Sequence, residues 1–352
     1  MDQDSVTRRE FVRHTAAAAA GASVAGRLMV QPVAAAGPAT DATKPRSYHE
    51  NMEYRRLGRT GLMVSAVGIG GHVKRIASRE GSPEFKTNRR EVLAACIDHG
   101  INYADPCGAN EVLFVAEALG KNREKMYLGF DWWGARDPNL AGSFEKMKDQ
   151  LDTGLRQAKL EYVDLWRVTM REQTSRNSER EIETVARTLE WAKKSGKARF
   201  TGLSTHHRPW IAAAVAKYPQ FEVIVTPYSA GSKEKPEGSM FDALRKHDVG
   251  LIGIKPFASG TIFQSAGAPD SATKREDDER ARLAIRYVLA CDALHCTIPG
   301  LVTVDQVLNA AAAVRERRQF DLAETQRLEQ MVRQMWANLP HSYEWLRDWE
   351  WV

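Results

Sequence analysis

The sequence predicts an α/β protein: a (β/α)8 TIM barrel with an N-terminal β-hairpin, a C-terminal extra helix and a tail. Three observations predict it. Short β-branched and apolar runs alternate with helical stretches from Ser65 onward, the pattern of parallel βα units. Eight such units precede the last helix, the number a closed barrel needs. No G-x-G-x-x-G follows the first of these strands, because Gly68-Ile69-Gly70-Gly71 runs into His72 and Val73, which argues against a doubly wound open sheet.

The hairpin is read from Tyr54-Arg55-Arg56-Leu57 and Leu62-Met63-Val64, joined by Gly58-Arg59-Thr60-Gly61. The strands that follow are expected over 65–70, 102–105, 126–130, 162–168, 199–204, 223–226, 249–254 and 296–298. The helices that answer them are expected over 89–99, 111–119, 143–158, 180–194, 210–217, 240–246, 278–289 and 304–314. A final helix near 322–336 lies beyond the eighth unit.

Ahead of the hairpin, residues 1–36 read as an address. Thr7-Arg8-Arg9-Glu10-Phe11-Val12-Arg13, a mild apolar run over 16–30 and the small residues of Gln31-Pro32-Val33-Ala34-Ala35-Ala36 are the parts of a secretory signal. The paired arginines resemble a twin-arginine signal, which implies the twin-arginine export machinery as a partner and an exported, periplasmic or extracytoplasmic location. Cleavage is expected near Ala36. The alanine-rich run falls short of a good membrane span, so no stable membrane insertion is expected. Residues 37–52, rich in Pro, Thr, Ala and Lys, read as a linker, and 53–352 as the barrel. The formal charge is +5. Arg8, Arg9, Arg13 and Arg27 against Asp2, Asp4 and Glu10 account for +1 of it, and the remaining +4 is too scattered for a nucleic-acid partner. Cys96, Cys107, Cys291 and Cys296 have neither zinc-ligand spacing nor the density of a disulfide scaffold.

Several stretches, taken in order, resemble the aldo-keto reductase family from about residue 53 to 314. Residues 54–65 are similar to its opening hairpin, and Gly100-Ile101-Asn102-Tyr103-Ala104-Asp105 to the segment ending in its catalytic aspartate. Glu161-Tyr162-Val163-Asp164-Leu165 is similar to its fourth strand and 196–204 to its fifth. Cys296-Thr297-Ile298-Pro299-Gly300 with Gln306 resembles its eighth strand and adenosine-binding loop. Lys255-Pro256-Phe257 with Gly260 resembles a branch that can carry an iron–sulfur centre on C-terminal cysteines. No cysteine follows Cys296, so that centre is excluded.

The resemblance implies carbonyl reduction with NAD or NADP on a small-molecule substrate. It also implies a catalytic tyrosine, lysine, aspartate and histidine, and this chain departs from that set. Asp105 matches the aspartate. The loop Pro106-Cys107-Gly108-Ala109-Asn110-Glu111 is short and holds no tyrosine. Asp131 stands where the lysine belongs, and Thr169 where the histidine belongs. Two carboxylates placed together raise at least one pKa unless a cation joins them. For the cofactor, the resemblance implies Ser204, Tyr228, Gly300 and Gln306, with Thr205 standing where an asparagine is usual. Val225 occupies the usual glutamine position, Val302 the usual basic one, and Asn309-Ala310 the usual Glu-Asn pair.

The strand ends place His72, Asp105, Cys107, Asp131, Trp132, Trp133, Thr169, Arg171, His206, His207, Tyr228 and Lys255 at the mouth, where barrels of this kind carry their sites. Three readings follow. In the first, an NAD(P)H-dependent oxidoreductase acts on a small carbonyl or sugar-like compound, with Lys255, His206 or Tyr228 replacing the tyrosine. The second is a non-catalytic ligand-binding barrel. The third is metal-assisted chemistry at Asp105, Asp131 and His206. Tyr343, Trp345, Trp349 and Trp351 form either an aromatic wall over the pocket or a tail packed outside it.

Overall fold

The computed structural model describes residues 44–348, except 72–75, 132–136, 171–176, 234–238 and 266. The signal segment, residues 37–43 of the expected linker, His72, Trp132, Trp133, Arg171, Trp349 and Trp351 therefore lie outside the described residues.

Two short strands, β1 (Tyr54–Arg56) and β2 (Met63–Ser65), pair antiparallel with Tyr54 opposite Ser65. The connection between them turns through Gly61 at φ 71, a left-handed conformation that glycine adopts without steric cost. Eight parallel strands follow: β3 (Ile69–Gly70), β4 (Tyr103–Asp105), β5 (Tyr127–Phe130), β6 (Val163–Thr169), β7 (Ala198–Ser204), β8 (Val223–Pro227), β9 (Gly250–Ile254) and β10 (Cys296–Ile298). They lie side by side in chain order. A parallel bridge between Val67 and Thr297 joins the first to the last, so the sheet closes on itself.

Period-two alternation sends every second side chain inward. Tyr103, Tyr127, Leu165, Val223, Val225, Ile252, Cys296 and Ile298 fill the barrel, and Leu57, Leu62 and Val64 of the hairpin join them to plug its lower end. The outward residues form a second layer under the helices α1 (Pro83–Asp98), α2 (Ala109–Leu119), α3 (Phe144–Ala158), α4 (Glu179–Lys194), α5 (Arg208–Lys217), α6 (Met240–Lys246), α7 (Lys274–Leu289) and α8 (Val304–Arg315). The last long helix, α9 (Leu322–Ala337), buries Leu328, Met331 and Met335 against Ile262, Leu283 and Ala284. The expected elements are all present. The largest boundary differences are at starts: β3 begins at Ile69 rather than at 65, and two helices begin early. Helix α1 begins at Pro83, where Ser82 accepts the Phe85 amide, and α7 begins at Lys274. The first turn of α7 is polar and that of α1 holds one apolar residue, Phe85, so apolar periodicity does not reveal them.

The lower end is held by charge. Asp164 is fully buried and lies 3.3, 2.8 and 2.8 Å from the guanidinium nitrogens of Arg46, Arg123 and Arg199. It also accepts the Leu128 amide at 3.0 Å. Arg46 belongs to the stretch expected as a linker. Its guanidinium is buried, donates to the Met126 carbonyl at 2.8 Å and covers the Tyr127 ring at 4.6 Å. Residues 44–52 are thus built into the base of the barrel. Among the described residues, no helix is long and apolar enough to cross a membrane.

Candidate active site at the barrel mouth

Strand β4 ends in Tyr103-Ala104-Asp105, and alternation turns Tyr103 and Asp105 to the inside. On β6 the same alternation aligns Leu165, Arg167 and Thr169 on the inner face. Asp131 follows the end of β5. These residues meet in one buried cluster, in which Asp105, Asp131, Arg167 and Thr169 are each at most 5% exposed. Arg167 Nε donates to Asp105 Oδ1 at 2.8 Å, and its Nη1 reaches Asp131 Oδ2 at 3.4 Å and Thr169 Oγ1 at 3.0 Å. The Thr169 hydroxyl donates to Asp131 Oδ2 at 2.6 Å, and the Tyr103 hydroxyl to Asp105 Oδ1 at 3.2 Å. Asp131 Oδ1 is buried without a hydrogen-bond partner among the described residues.

The cation that the paired carboxylates require is Arg167, one strand away from the position at which the resemblance looked for a lysine. Burial opposes its charge, but Asp105 and then Asp131 outweigh burial and hold its pKa well above the ordinary value. Burial and the Asp105 charge likewise push the Tyr103 phenol well above its usual range, so it stays protonated. Gly129 makes the cluster possible: a Cβ there would stand 2.5 Å from Asp105 Oδ1 and 2.6 Å from the Tyr103 hydroxyl.

A cavity of about 660 Å³ opens above this cluster. Cys107, Glu111, His206 and Lys255 line it at the mouth, and Gly300, Val302, Thr303 and Gln306 at its far end. Cys107 is exposed at the cavity edge with its thiol 3.5 Å from Asp131 Oδ2, and desolvation there pushes the thiol up to about 11, away from the thiolate form. Glu111 sits in the first turn of α2, where its Oε2 accepts the Cys107 amide at 2.9 Å. Burial is the main cause that raises its pKa, opposed by the Cys107 amide and Arg167 and reinforced by Asp105 and Glu80.

The far end of the cavity is the N-terminus of α8, capped by Thr303, whose hydroxyl accepts the Gln306 amide. Gln306 Oε1 accepts the Val302 amide at 2.8 Å, which pins the loop that begins at Gly300. Exposed helix-terminal amides favour an anion. Three acids moderate that preference here. Asp277 and Asp278 line the cavity, Asp305 stands in the first turn of α8, and Lys274 is shared between Asp278 at 2.7 Å and Asp305 at 3.7 Å.

The C-terminal segment closes one side. Trp345 stacks on His206 with centroids 4.2 Å apart and planes 14° off parallel, and Lys255 Nζ lies 5.4 Å from the Tyr343 ring centre. Tyr343 and Trp345 both line the cavity, so the described part of the tail forms the aromatic wall.

Of the residues singled out from the sequence, His206, Lys255, Gly300 and Gln306 line the cavity. Asp105, Asp131 and Thr169 are joined beneath it by Arg167. Ser204 and Thr205 are buried at the end of β7, where Thr205 Oγ1 accepts the His207 amide. Tyr228 is not brought to the cavity. Its ring lies in the outer layer, with Phe241 edge-on at 6.0 Å and the Arg208 guanidinium 5.6 Å from its centre. A metal set at Asp105, Asp131 and His206 does not assemble. Among the described residues no three His, Cys, Asp or Glu side chains converge, and the space between the two carboxylates is spanned by Arg167. Sequence reasoning missed Arg167 and Glu111. The first was signalled by a lone arginine in phase with Leu165 on an apolar strand. The second carried no signal beyond a helix-start carboxylate.

Comparison with known proteins places these features. A profile of the Aldo/keto reductase family matches residues 75–333. L-galactose dehydrogenase of Arabidopsis thaliana is 25% identical over 292 residues, covering 75% of this chain and 89% of that protein. A probable voltage-gated potassium channel subunit beta of Oryza sativa subsp. japonica is 25% identical over 225 residues, covering 60% of this chain and 66% of that protein. Among solved structures, the holo form of an aldo-keto reductase from Bacillus halodurans superposes with a TM-score of 0.60 at 22% identity, covering 80% of this chain and 96% of that one. A Klebsiella pneumoniae aldo-keto reductase in complex with NADPH gives a TM-score of 0.60 at 18% identity, covering 80% and 95%.

Proposed function

Because this chain belongs to the aldo/keto reductase family, we propose that it is a nicotinamide-dinucleotide-linked oxidoreductase acting on a small carbonyl or sugar-like compound. The observation that carries the proposal is the single cavity that runs from Cys107 and Glu111 at the mouth to the capped N-terminus of α8 at Gly300–Thr303. Its volume of about 660 Å³ is in the range of cofactor pockets. A bound nicotinamide dinucleotide supplies or removes a hydride.

This chain's own residues do the rest. The loop at Gly300–Thr303, held by Gln306, seats the adenosine end. Tyr343 and Trp345 give an aromatic wall suited to the apolar face of a sugar. Arg167 sets the charge beneath the mouth. At the adenosine end Val302 takes the usual basic position, and Lys274, which lines the cavity, is already held by Asp278 and Asp305 with Asp277 nearby, so NAD fits better than NADP with its extra 2′-phosphate. The L-galactose dehydrogenase relative is consistent with a sugar-like substrate. Export through the twin-arginine route, with a small molecule as the only further partner, completes the proposal.

A second reading, a ligand-binding barrel without turnover, is favoured by one observation. The loop between β4 and α2 holds no tyrosine, and the one buried phenol beneath the mouth, Tyr103, is locked protonated. Channel subunits are among the relatives, which accords with such a role. Following nicotinamide absorbance with aldoses and small aldehydes in both directions separates the two. Turnover with any of them supports the oxidoreductase, and saturable ligand binding with no redox change supports the binding barrel.

A further inference from the structure

Resting on the oxidoreductase reading, we propose that Glu111 is the proton donor and acceptor of this site, standing in for the absent tyrosine. Three features of the geometry carry it. First, Glu111 is the carboxyl group at the mouth end of the cavity, whereas Asp105 and Asp131 lie buried beneath it with Arg167. Second, it is held in one place. Its Oε2 accepts the Cys107 amide, and the carboxyl rests against Gly71, where a Cβ would stand 1.6 Å from Oε2. Third, the other oxygen has no hydrogen bond among the described residues, so the cap consumes half of the carboxyl and leaves half for a ligand.

The other candidates are engaged by the tail. His206 is stacked on Trp345 and the Lys255 ammonium lies against Tyr343, while Tyr228 is outside the cavity. Glu111 instead stands on the first turn of α2, a fixed element, and a donor on a fixed element keeps its geometry between turnovers.

Its surroundings suit the role. The charged groups that act on it among the described residues are Arg167 from β6, Arg89 from α1, Asp105 from β4 and Glu80 ahead of α1. Burial, with Asp105 and Glu80, raises its pKa above the ordinary glutamate value, and the Cys107 amide and Arg167 oppose the rise. A carboxylic acid of raised pKa can donate at neutral pH, and its carboxylate can accept in the reverse direction.

In reduction, hydride from the reduced nicotinamide forms a C–H bond at the carbonyl carbon. The C=O π pair moves to oxygen, and that oxygen takes the proton of the Glu111 carboxylic acid. Alcohol, oxidised nicotinamide and the Glu111 carboxylate result. The carboxylate is reprotonated from water through the open cavity. Oxidation of an alcohol runs the same steps backward.

The test compares the full-length protein with Glu111→Gln, whose amide oxygen can still accept the Cys107 amide and so preserve the helix cap. Three properties are read: NADH binding by fluorescence, infrared titration of the carboxyl groups, and turnover of glyceraldehyde and the aldohexoses against pH. The expected result is NADH affinity within about twofold in both proteins, together with a protonated-carboxyl band titrating above the ordinary glutamate range that Glu111→Gln lacks. Turnover in the variant falls by about 100-fold or more, and the alkaline fall in its reduction rate disappears. If NADH binds but the band is unchanged, or the variant keeps its rate and pH profile, the role is overturned while the oxidoreductase reading stands. If neither protein binds NADH, that reading falls and the role falls with it.

Discussion

The two ends of this barrel use the same chemistry for different purposes. At the base, one buried carboxylate, Asp164, is surrounded by Arg46, Arg123 and Arg199. At the mouth, two buried carboxylates, Asp105 and Asp131, share one guanidinium, Arg167. The base is over-supplied with cations and closed by the hairpin plug. The mouth is under-supplied, leaves one oxygen of Asp131 without a partner among the described residues, and forms the floor of a cavity. At the base the buried atoms left without a hydrogen-bond partner among the described residues are donors, Arg46 Nε and Arg123 Nε, so the excess there is of cation, in a cluster that holds structure together. One left short of cation and placed under a pocket can respond to what enters the pocket. In barrels of this kind the base carries stability and the mouth carries chemistry, and the charge balance of the two ends follows that division.

The largest expected effect is at the mouth. Arg167→Met leaves two buried carboxylates facing each other and should cost about 3–5 kcal/mol at neutral pH, read by denaturant unfolding. Adding Asp131→Asn should return a substantial part of that loss. If the double variant is no more stable than the single one, the two carboxylates are not coupled through Arg167.

The next effect belongs to the base. His295 Nδ1 accepts the Leu251 amide, and burial holds its pKa down to about 4. The unfolded chain, with an ordinary imidazole near ~6.5, therefore binds the proton first. Stability should be flat above pH 6.5 for this group and fall by up to about 3 kcal/mol as pH drops from 6.5 toward 4. His295→Asn, which keeps an acceptor near the same place, should flatten that part of the curve. An unchanged acid slope would remove His295 from the account.

Smaller again is Asp164→Asn, which keeps an acceptor for the Leu128 amide but removes the counter-charge that Arg46, Arg123 and Arg199 share, leaving Arg46 its exposed partner Glu124. A cost of about 2–3 kcal/mol is expected, with NADH affinity unchanged. A loss of affinity comparable to the loss of stability would mean that the two ends are not separable.

The barrel itself was legible because its information is periodic. Alternation from Leu165 through Thr169, amphipathic helices and turn glycines such as Gly61 each repeat a local rule that needs no knowledge of distant partners. Of the site, what was legible is position: strand ends placed Asp105 beneath the mouth and His206, Lys255 and Gly300 along the cavity. Arg167 was hidden because its partners come from β4 and the end of β5, 62 and 36 residues away. The resemblance directed attention to a lysine at the end of β5, whereas the cation had moved to the neighbouring strand. Tyr228 was misleading in the opposite way. It lies one residue past a strand end, yet its ring turns to the outer layer. The start of α1 at Pro83 was obscured because Glu84, Lys86, Thr87 and Asn88 interrupt its apolar face.

The central claim is that the cavity between Glu111 and α8 is a nicotinamide-dinucleotide groove without a site for a 2′-phosphate. Equilibrium titration of the protein with NADH and with NADPH, followed through the fluorescence of its tryptophans, Trp345 among them, tests it most directly. The account predicts saturable binding of NADH in the micromolar range and weaker binding of NADPH. Tighter binding of NADPH would contradict the acidic reading of the adenosine end, and saturation by neither would contradict the groove itself.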